Sequence, residues 1–139
     1  MSIQEGIYEG GTKEGVRDGH GRLTWPNGDY YEGSFKNGLR HGLGTMVEQG
    51  GNKVYKGQWA LSQREGQGEQ KYKNGDTYNG EWSRDMCNGK GELKTGSQNF
   101  SCDVTGNTCM DVLHLLVRSR HKRRHIQMHI HTHTHTPPI

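Results

Sequence analysis

A tyrosine recurs at an almost constant interval through much of the chain. Tyr8, Tyr31, Tyr55 and Tyr78 are separated by 23, 24 and 23 residues. Each is followed two positions later by a glycine, and then, eleven and thirteen positions later, by a Gly-x-Gly pair. The twelve glycines of this pattern, which we predict to be structural, are Gly10, Gly19, Gly21, Gly33, Gly42, Gly44, Gly57, Gly66, Gly68, Gly80, Gly89 and Gly91. Such a repeat predicts a stack of small units stabilised by contacts between neighbours.

Each unit opens with the pattern of a half-buried β-strand. In the second unit, Tyr31, Gly33 and Phe35 alternate with the polar Glu32 and Ser34, and residues two apart share one face of a strand. The glycine between two rings leaves room for a ring from the neighbouring strand. The aromatic row is either a thin core or an exposed ligand groove. Its six candidate partner-binding residues are Tyr31, Phe35, Tyr55, Trp59, Tyr78 and Trp82.

The second half of each unit predicts a returning strand whose bulky residues face the same side. Gly-containing dipeptides mark tight turns within the first two units and between units, where glycine accommodates positive φ. They are Glu14-Gly15, Asn37-Gly38, Asn27-Gly28, Gly50-Gly51 and Asn74-Gly75. We expect the extra residue near Gln49–Asn52 to lengthen one turn. The predicted fold is all-β, a single-layer antiparallel meander of stacked β-hairpins.

Composition supports a thin architecture. Hydrophobic residues make up only 28% of the chain and the mean hydropathy is −1.06, too polar for a thick two-layer core. Six Tyr, three Trp and two Phe argue against disorder, because each ring exposes a large apolar area unless it packs. A narrow sheet studded with rings satisfies both observations.

Charge is concentrated at the C-terminal end. Residues 110–139 hold five basic residues against one acidic residue, whereas residues 1–109 hold 13 basic and 14 acidic residues. The repeat region is therefore not a basic surface, and we expect no nucleic-acid binding.

The residues of the second unit, Tyr31-Glu-Gly-Ser-Phe-Lys-Asn-Gly-Leu-Arg-His-Gly-Leu-Gly44, resemble the MORN repeat, whose pattern is Tyr-x-Gly-x-Trp, then Asn-Gly, then His-Gly-x-Gly. Units three and four replace the middle Asn-Gly by Leu61-Ser62 and Arg84-Asp85. The opening residues are similar to radial spoke head 1-type proteins of motile cilia. The family resemblance implies a hairpin array used for protein–protein scaffolding, often in cilia, flagella or membrane junctions, and phospholipid binding has also been attributed to it.

Four repeats are predicted, at residues 8–30, 31–54, 55–77 and 78–96. In the region 97–109, Phe100 stands near the place of a fifth tyrosine, but Cys102 replaces its glycine and Val104 its aromatic residue. We expect a degenerate half-repeat that caps the array. A poor cap would leave a free edge for self-association with another chain.

The basic, His-rich tail, residues 110–139, is predicted to be disordered. Its Thr-His alternation would place His131, His133 and His135 on one face of a strand, where a metal ion could bind. The alternative is translated repetitive sequence, since a CA dinucleotide run encodes alternating Thr and His. We favour this second interpretation and predict no metal site and no cofactor.

No nucleophile or acid–base pair recurs with the repeat, and a ribbon offers no obvious pocket, so we expect no enzyme. We predict a non-enzymatic scaffold or adaptor that binds protein partners, with a ciliary or flagellar axoneme as the preferred setting. A phospholipid-binding, membrane-associating module is the alternative. Neither a leader nor a membrane span stands out, and an odd number of cysteines predicts reduced thiols; we therefore expect a cytoplasmic protein.

Overall fold

The computed structural model describes residues 6–107 and 128–131. One ten-stranded sheet contains all of the strands, in the order of the sequence. They are β1 Ile7–Lys13, β2 Val16–Thr24, β3 Tyr30–Lys36, β4 Leu39–Glu48, β5 Lys53–Ala60, β6 Gln63–Lys71, β7 Thr77–Ser83, β8 Met86–Thr95, β9 Gln98–Asn107 and β10 Met128–His131.

Strands β1 to β9 pair antiparallel, each with the next, which confirms the predicted meander of hairpins. In β1 to β8 one register aligns the glycines: Gly21 pairs with both Gly10 and Gly33, and Gly44 pairs with both Gly33 and Gly57. The same residues therefore meet at every repeat boundary. No described helix is long and apolar enough to cross a membrane.

The C-terminal edge differs from the sequence prediction. Strand β10 lies parallel to β9 and pairs Met128 with Cys102 through to His131 with Thr105. Within the predicted disordered tail, residues 128–131 are therefore a strand, and they lie along the outer edge of β9. The other residues of the tail lie outside the described part of the chain. Strand β9 covers most of the residues 97–109. Their role as a cap stays a prediction.

The turn inside each hairpin has two consecutive residues at positive φ. These are the Glu14-Gly15, Asn37-Gly38, Leu61-Ser62 and Arg84-Asp85 pairs. Two-residue hairpins of this kind match the right-handed twist of the strands. The third and fourth repeats thus keep the backbone of the glycine-containing turns although they lack the glycine. The connection between β4 and β5 contains a 3-10 turn at Gln49–Gly51. The predicted longer turn is wrong, because residues 49–52 separate these strands, whereas 25–29 and 72–76 separate the strands at the other two repeat boundaries.

Each hairpin also contains an irregularity in register. In the second repeat Gly33 pairs with Gly44, but Phe35 pairs with Arg40, so the returning strand carries extra residues between those pairs. Gly42 stands in this bulge at φ +93°, a backbone conformation that residues with a Cβ adopt at a cost. The first glycine of each Gly-x-Gly pair is therefore a bulge residue.

One face of the sheet carries the core. Its fully or largely buried residues include the rings of three successive repeats together with residues of the returning strands. Leu23 and Leu93 are buried there, and Trp25, Met46 and Phe100 pack against them. The predicted single-sided distribution of bulky residues agrees with this placement. Gln70 takes the position that Leu23, Met46 and Leu93 hold in the other repeats, and it is a polar residue that is 1% exposed.

Candidate functional site

The aromatic row is an interlocked core. Each inner tyrosine lies between the ring of its own repeat and the ring of the next: Tyr31 is edge-on to Phe35 at 5.0 Å and to Trp59 at 5.4 Å between centroids, and Tyr55 to Trp59 at 5.0 Å and to Trp82 at 5.3 Å. Such edge-to-face pairs add about 0.5–1.5 kcal/mol each beyond burial. The row is continuous from Tyr8, which pairs with Phe35 at 5.2 Å.

The structure places the six candidate partner-binding residues inside this core. Tyr31, Phe35, Tyr55, Trp59, Tyr78 and Trp82 are between 0 and 5% exposed. Residues that dominate an interface must offer area to the partner, and these six offer almost none as the chain stands. The prediction that they contact a partner stays untested. In the structure they form a buried layer beneath the accessible surface.

The second glycine of each Gly-x-Gly pair forms the seat of a tyrosine. A Cβ built on Gly44 would collide with the hydroxyl and ring of Tyr31, and the same holds for Gly21, Gly68 and Gly91 against their tyrosines. The glycine that follows each tyrosine is crowded by the backbone across the strand pair instead. A Cβ on Gly33 would meet the Cα of Gly44. The predicted packing role of the glycines agrees with these contacts.

The ring seats fix the hydroxyl groups. The Tyr31 hydroxyl donates to the carbonyl oxygen of Ser34 at 2.8 Å, and the Tyr55 hydroxyl donates to that of Gln58 at 2.9 Å. Burial is the main cause that raises the pKa of Tyr31, to about 12, and it also raises the pKa of Tyr55. Both rings are therefore neutral hydrogen-bond donors over the physiological range.

A row of arginines lies over the rings. We did not predict this row from the sequence. The guanidinium carbon of Arg40 is 4.7 Å from the centroid of the Trp59 ring, and that of Arg64 is 4.4 Å from the Trp82 ring. Arg17 lies 5.8 Å from both Tyr8 and Phe35. A signal existed in the sequence, because each arginine follows its tyrosine by nine residues. Cation–π contacts of this kind join successive repeats.

A groove opens beside this row over the first two repeats. We define the ring-side groove by six of its lining residues, Tyr8, Arg17, Leu23, Trp25, Leu39 and Arg40. Trp25 is half-buried and Leu39 is 41% exposed. The groove therefore combines two cationic groups with accessible apolar area, above the rigid aromatic floor.

The opposite face of the sheet is polar. Arg22, Glu32, Thr45 and Lys56 lie at one register across four neighbouring strands. Arg22 and Glu32 approach to 4.0 Å, and both side chains are about half exposed, so the pair contributes little to stability. Leu43, a large apolar residue on this face, is 68% exposed.

The cysteines depart from the expectation of reduced thiols. Cys87 is disulfide-bonded, whereas Cys102 is free. Cys102 is buried, and its thiol lies 3.4 Å from the carbonyl oxygen of Gly91. Burial is the main cause that raises its pKa to about 11, so at neutral pH it is a protonated thiol.

No cluster of three or more His, Cys, Asp or Glu side chains suited to a metal ion occurs within the described residues. The side chains of His131, His133 and His135 lie outside that part of the chain. Of the two histidines in the repeats, His20 is exposed and lies 3.9 Å from Glu32.

Stacked hairpins joined ring to ring define a tandem β-hairpin repeat protein. The family model for the MORN repeat matches four segments, residues 8–30, 31–52, 55–77 and 78–99. The chain belongs to the MORN-repeat family. The four matches begin at the four tyrosines that open the repeats. A search of curated proteins returned no match.

Proposed function

We propose that this chain is a non-enzymatic scaffold or adaptor that binds a protein partner, and that the ciliary or flagellar axoneme is its setting. MORN repeats are protein- and lipid-binding modules in general. The observation that carries the proposal is the ring-side groove, an accessible surface that lies beside the packed, buried aromatic rings of the core. The partner contacts the groove at Trp25, Leu39 and the arginines, beside the buried ring of Phe35.

The chemistry of the described residues supports a binding role over a catalytic one. Nucleophilic catalysis by cysteine uses the thiolate. Burial raises the pKa of Cys102 to about 11, so its thiol is protonated at neutral pH. Arg64, one of the cations beside the rings, is held by hydrogen bonds within the protein. A rigid, repeated surface is suited to aligning a partner along its length.

Phospholipid binding is the second candidate function, and the family favours it. Residues 1–109 carry 13 basic and 14 acidic residues, which gives an anionic membrane no net electrostatic attraction. Flotation with phosphatidylserine and phosphoinositide vesicles at several salt concentrations separates the two candidates. We expect no flotation of residues 1–109, the part of the chain that has this charge balance. Salt-sensitive flotation of the folded chain would favour the membrane role.

The scaffold role is tested by quantitative affinity capture from ciliated and non-ciliated cells with the full chain as bait. The control bait is Gly44→Val, in which a branched side chain collides with the Tyr31 ring and disrupts the array. We expect a reproducible set of proteins that the control bait does not retain, enriched in the ciliated cells. Recovery of the same proteins by both baits would contradict a scaffold role, and equal recovery from both cell types would contradict the axonemal setting.

A further inference from the structure

Three arginines occupy one position of the repeat but have different partners. Arg64 is fully engaged. Its Nε donates to the Asp85 carboxylate at 3.0 Å, one Nη donates to the Asp85 carbonyl oxygen at 2.8 Å, and the other donates to Gln70 Oε1 at 3.1 Å. Two positions supply these acceptors: Asp85 stands seven residues after Tyr78, and Gln70 stands fifteen after Tyr55.

The same two positions are weaker acceptors around Arg40. Ser62 takes the place of Asp85 and Met46 takes that of Gln70. One Nη of Arg40 donates to the Ser62 carbonyl oxygen at 3.0 Å, and the other lies 3.9 Å from the Met46 sulfur. Arg40 therefore keeps the hydrogen bond to a backbone carbonyl oxygen, but Ser62 offers it no carboxylate.

Nearby carboxylates do not fill the gap. Glu48 is paired with Lys53 at 3.5 Å, and Asp85 is paired with Arg64 at 3.0 Å. Among the described residues, no carboxylate lies within ion-pair distance of Arg40. The Arg40 guanidinium is partly buried, and this burial is the main cause that lowers its pKa. A partly buried guanidinium without a carboxylate partner can donate strong, charge-assisted hydrogen bonds to a carboxylate of another molecule.

Arg17 repeats this situation one unit earlier. Gly38 and Leu23 stand at the two acceptor positions, and neither has a side-chain oxygen. Within the described region the guanidinium of Arg17 makes ring contacts but no hydrogen bond or ion pair. Arg17 and Arg40 both line the ring-side groove, together with the apolar Trp25 and Leu39.

We propose that the ring-side groove binds an acidic segment of a protein partner. Carboxylates of that segment bind Arg40 and Arg17 as Asp85 binds Arg64, and a neighbouring apolar side chain lies against Trp25 and Leu39. This inference rests on the proposed scaffold function, whose partner class it specifies. The apolar lining favours a peptide over a free phosphate or a lipid headgroup, which would leave Trp25 and Leu39 uncovered.

The test uses a phage-displayed library of random dodecapeptides, selected on the full chain and then measured as synthetic peptides by fluorescence anisotropy. We expect the selected peptides to contain Asp or Glu next to an apolar residue. Replacing these acidic residues by Asn or Gln lowers affinity tenfold or more, and so does Arg17→Gln/Arg40→Gln in the protein. The matched control, Arg22→Gln on the opposite face, leaves affinity unchanged.

A second variant separates binding from folding. Ser62→Asp copies Asp85 into the third repeat and gives Arg40, in the second repeat, an internal carboxylate. We expect this variant to unfold at a higher temperature than the wild type and yet to bind the acidic peptides at least fivefold more weakly. Loss of binding therefore cannot be attributed to loss of structure.

Three results would overturn the inference: no selected peptides, selected peptides without acidic residues, or acidic peptides whose affinity is the same with Arg17→Gln/Arg40→Gln. Vesicles of phosphatidylserine that bind the wild type but not this double variant would also overturn it, in favour of a lipid headgroup. Peptides that bind elsewhere, or proteins captured by a bait carrying Arg17→Gln/Arg40→Gln, would leave the scaffold function standing while this inference fails.

Discussion

The indole Nε1 of Trp82 donates a hydrogen bond of 3.0 Å to the carbonyl oxygen of Gly68 in the preceding repeat. Trp59 makes the same bond to Gly44 at 3.1 Å. Each tryptophan thus joins its own hairpin to the one before it, through a ring contact with the earlier tyrosine and a polar bond to the glycine on which that tyrosine rests. Stability is therefore distributed as a chain of contacts between neighbours.

The Trp82 bond predicts a graded loss on substitution. Trp82→Phe keeps most of the ring but removes the donor, at about 1–3 kcal/mol of unfolding free energy, and Trp82→Ala costs about 3–5 kcal/mol. Urea denaturation followed by far-UV circular dichroism measures both. The control is Trp25→Phe, since Trp25 is half-buried and makes no indole hydrogen bond among the described residues. An equal loss at Trp25 and Trp82 would contradict the role of the bond.

The glycine seat predicts an unusually costly methyl group. Gly44→Ala places a Cβ against the ring of Tyr31, and the ring is held on its other sides by Phe35 and Trp59. We expect a loss of about 3 kcal/mol, at the upper end for overpacking. Gly28→Ala is the control: its site is open but has φ +91°, so it loses about 1 kcal/mol. Similar thermal midpoints for the two variants would argue against the seat.

The turn of the third repeat offers a stabilising change. Leu61 is 71% exposed and has φ +50°, a conformation that asparagine adopts more readily than leucine. Leu61→Asn restores the residue type found at Asn37 and is expected to raise the unfolding free energy by about 0.5–1 kcal/mol. Leu43→Asn, at an exposed position within a strand, is the control and gives no gain. A destabilised Leu61→Asn protein would refute the proposed strain.

The buried tyrosines predict a loss of stability in alkali. Burial raises the pKa of Tyr31 to about 12 and also raises the pKa of Tyr72 and Tyr78, whereas tyrosine in an unfolded chain ionises near pH ~10. Between these values the unfolded state releases protons that the folded state retains. The contribution is therefore fully present below about pH 9 and is lost from about pH 10 upwards, by up to about 1.4 kcal/mol per pH unit for each tyrosine.

Urea denaturation at a series of pH values from neutral to about 11.5 measures this slope. Tyr31→Phe is the matched variant. It loses the bond to Ser34 and is less stable at neutral pH, but its unfolding free energy falls less steeply above pH ~10 because one titrating group is gone. A slope identical to that of the wild type would exclude Tyr31 as a contributor.

The meander was predictable because its signals are local and repeated. The spacing of Tyr31 and Tyr55 defines the repeat, and the alternation of Tyr31, Gly33 and Phe35 defines a strand with one bulky face. Both follow from the period of two in a β-strand. The turn at Leu61-Ser62 was harder to recognise, because its backbone matches the glycine-containing turns while its residues do not.

The candidate site was predictable only in part. Alternation placed Trp59 and Trp82 on one face but did not reveal how much of each ring a neighbouring repeat covers. The arginines recur with the same period as the tyrosines. In the sequence alone, however, Arg40 and Arg64 are indistinguishable from ordinary polar residues of a strand, because their positions above the rings are not visible there. The difference between them depends on Ser62 and Asp85, more than twenty residues further along the chain.

By itself, the sequence determined the repeat, the antiparallel hairpins and the face that carries the rings, because these depend on residues close together in the chain. Only the tertiary structure decided that the rings are buried, and that Arg40 lacks a carboxylate partner such as Asp85, which pairs with Arg64. Burial and ion pairing are set by the contacts between one hairpin and the next. Those contacts exist only once neighbouring repeats are in register.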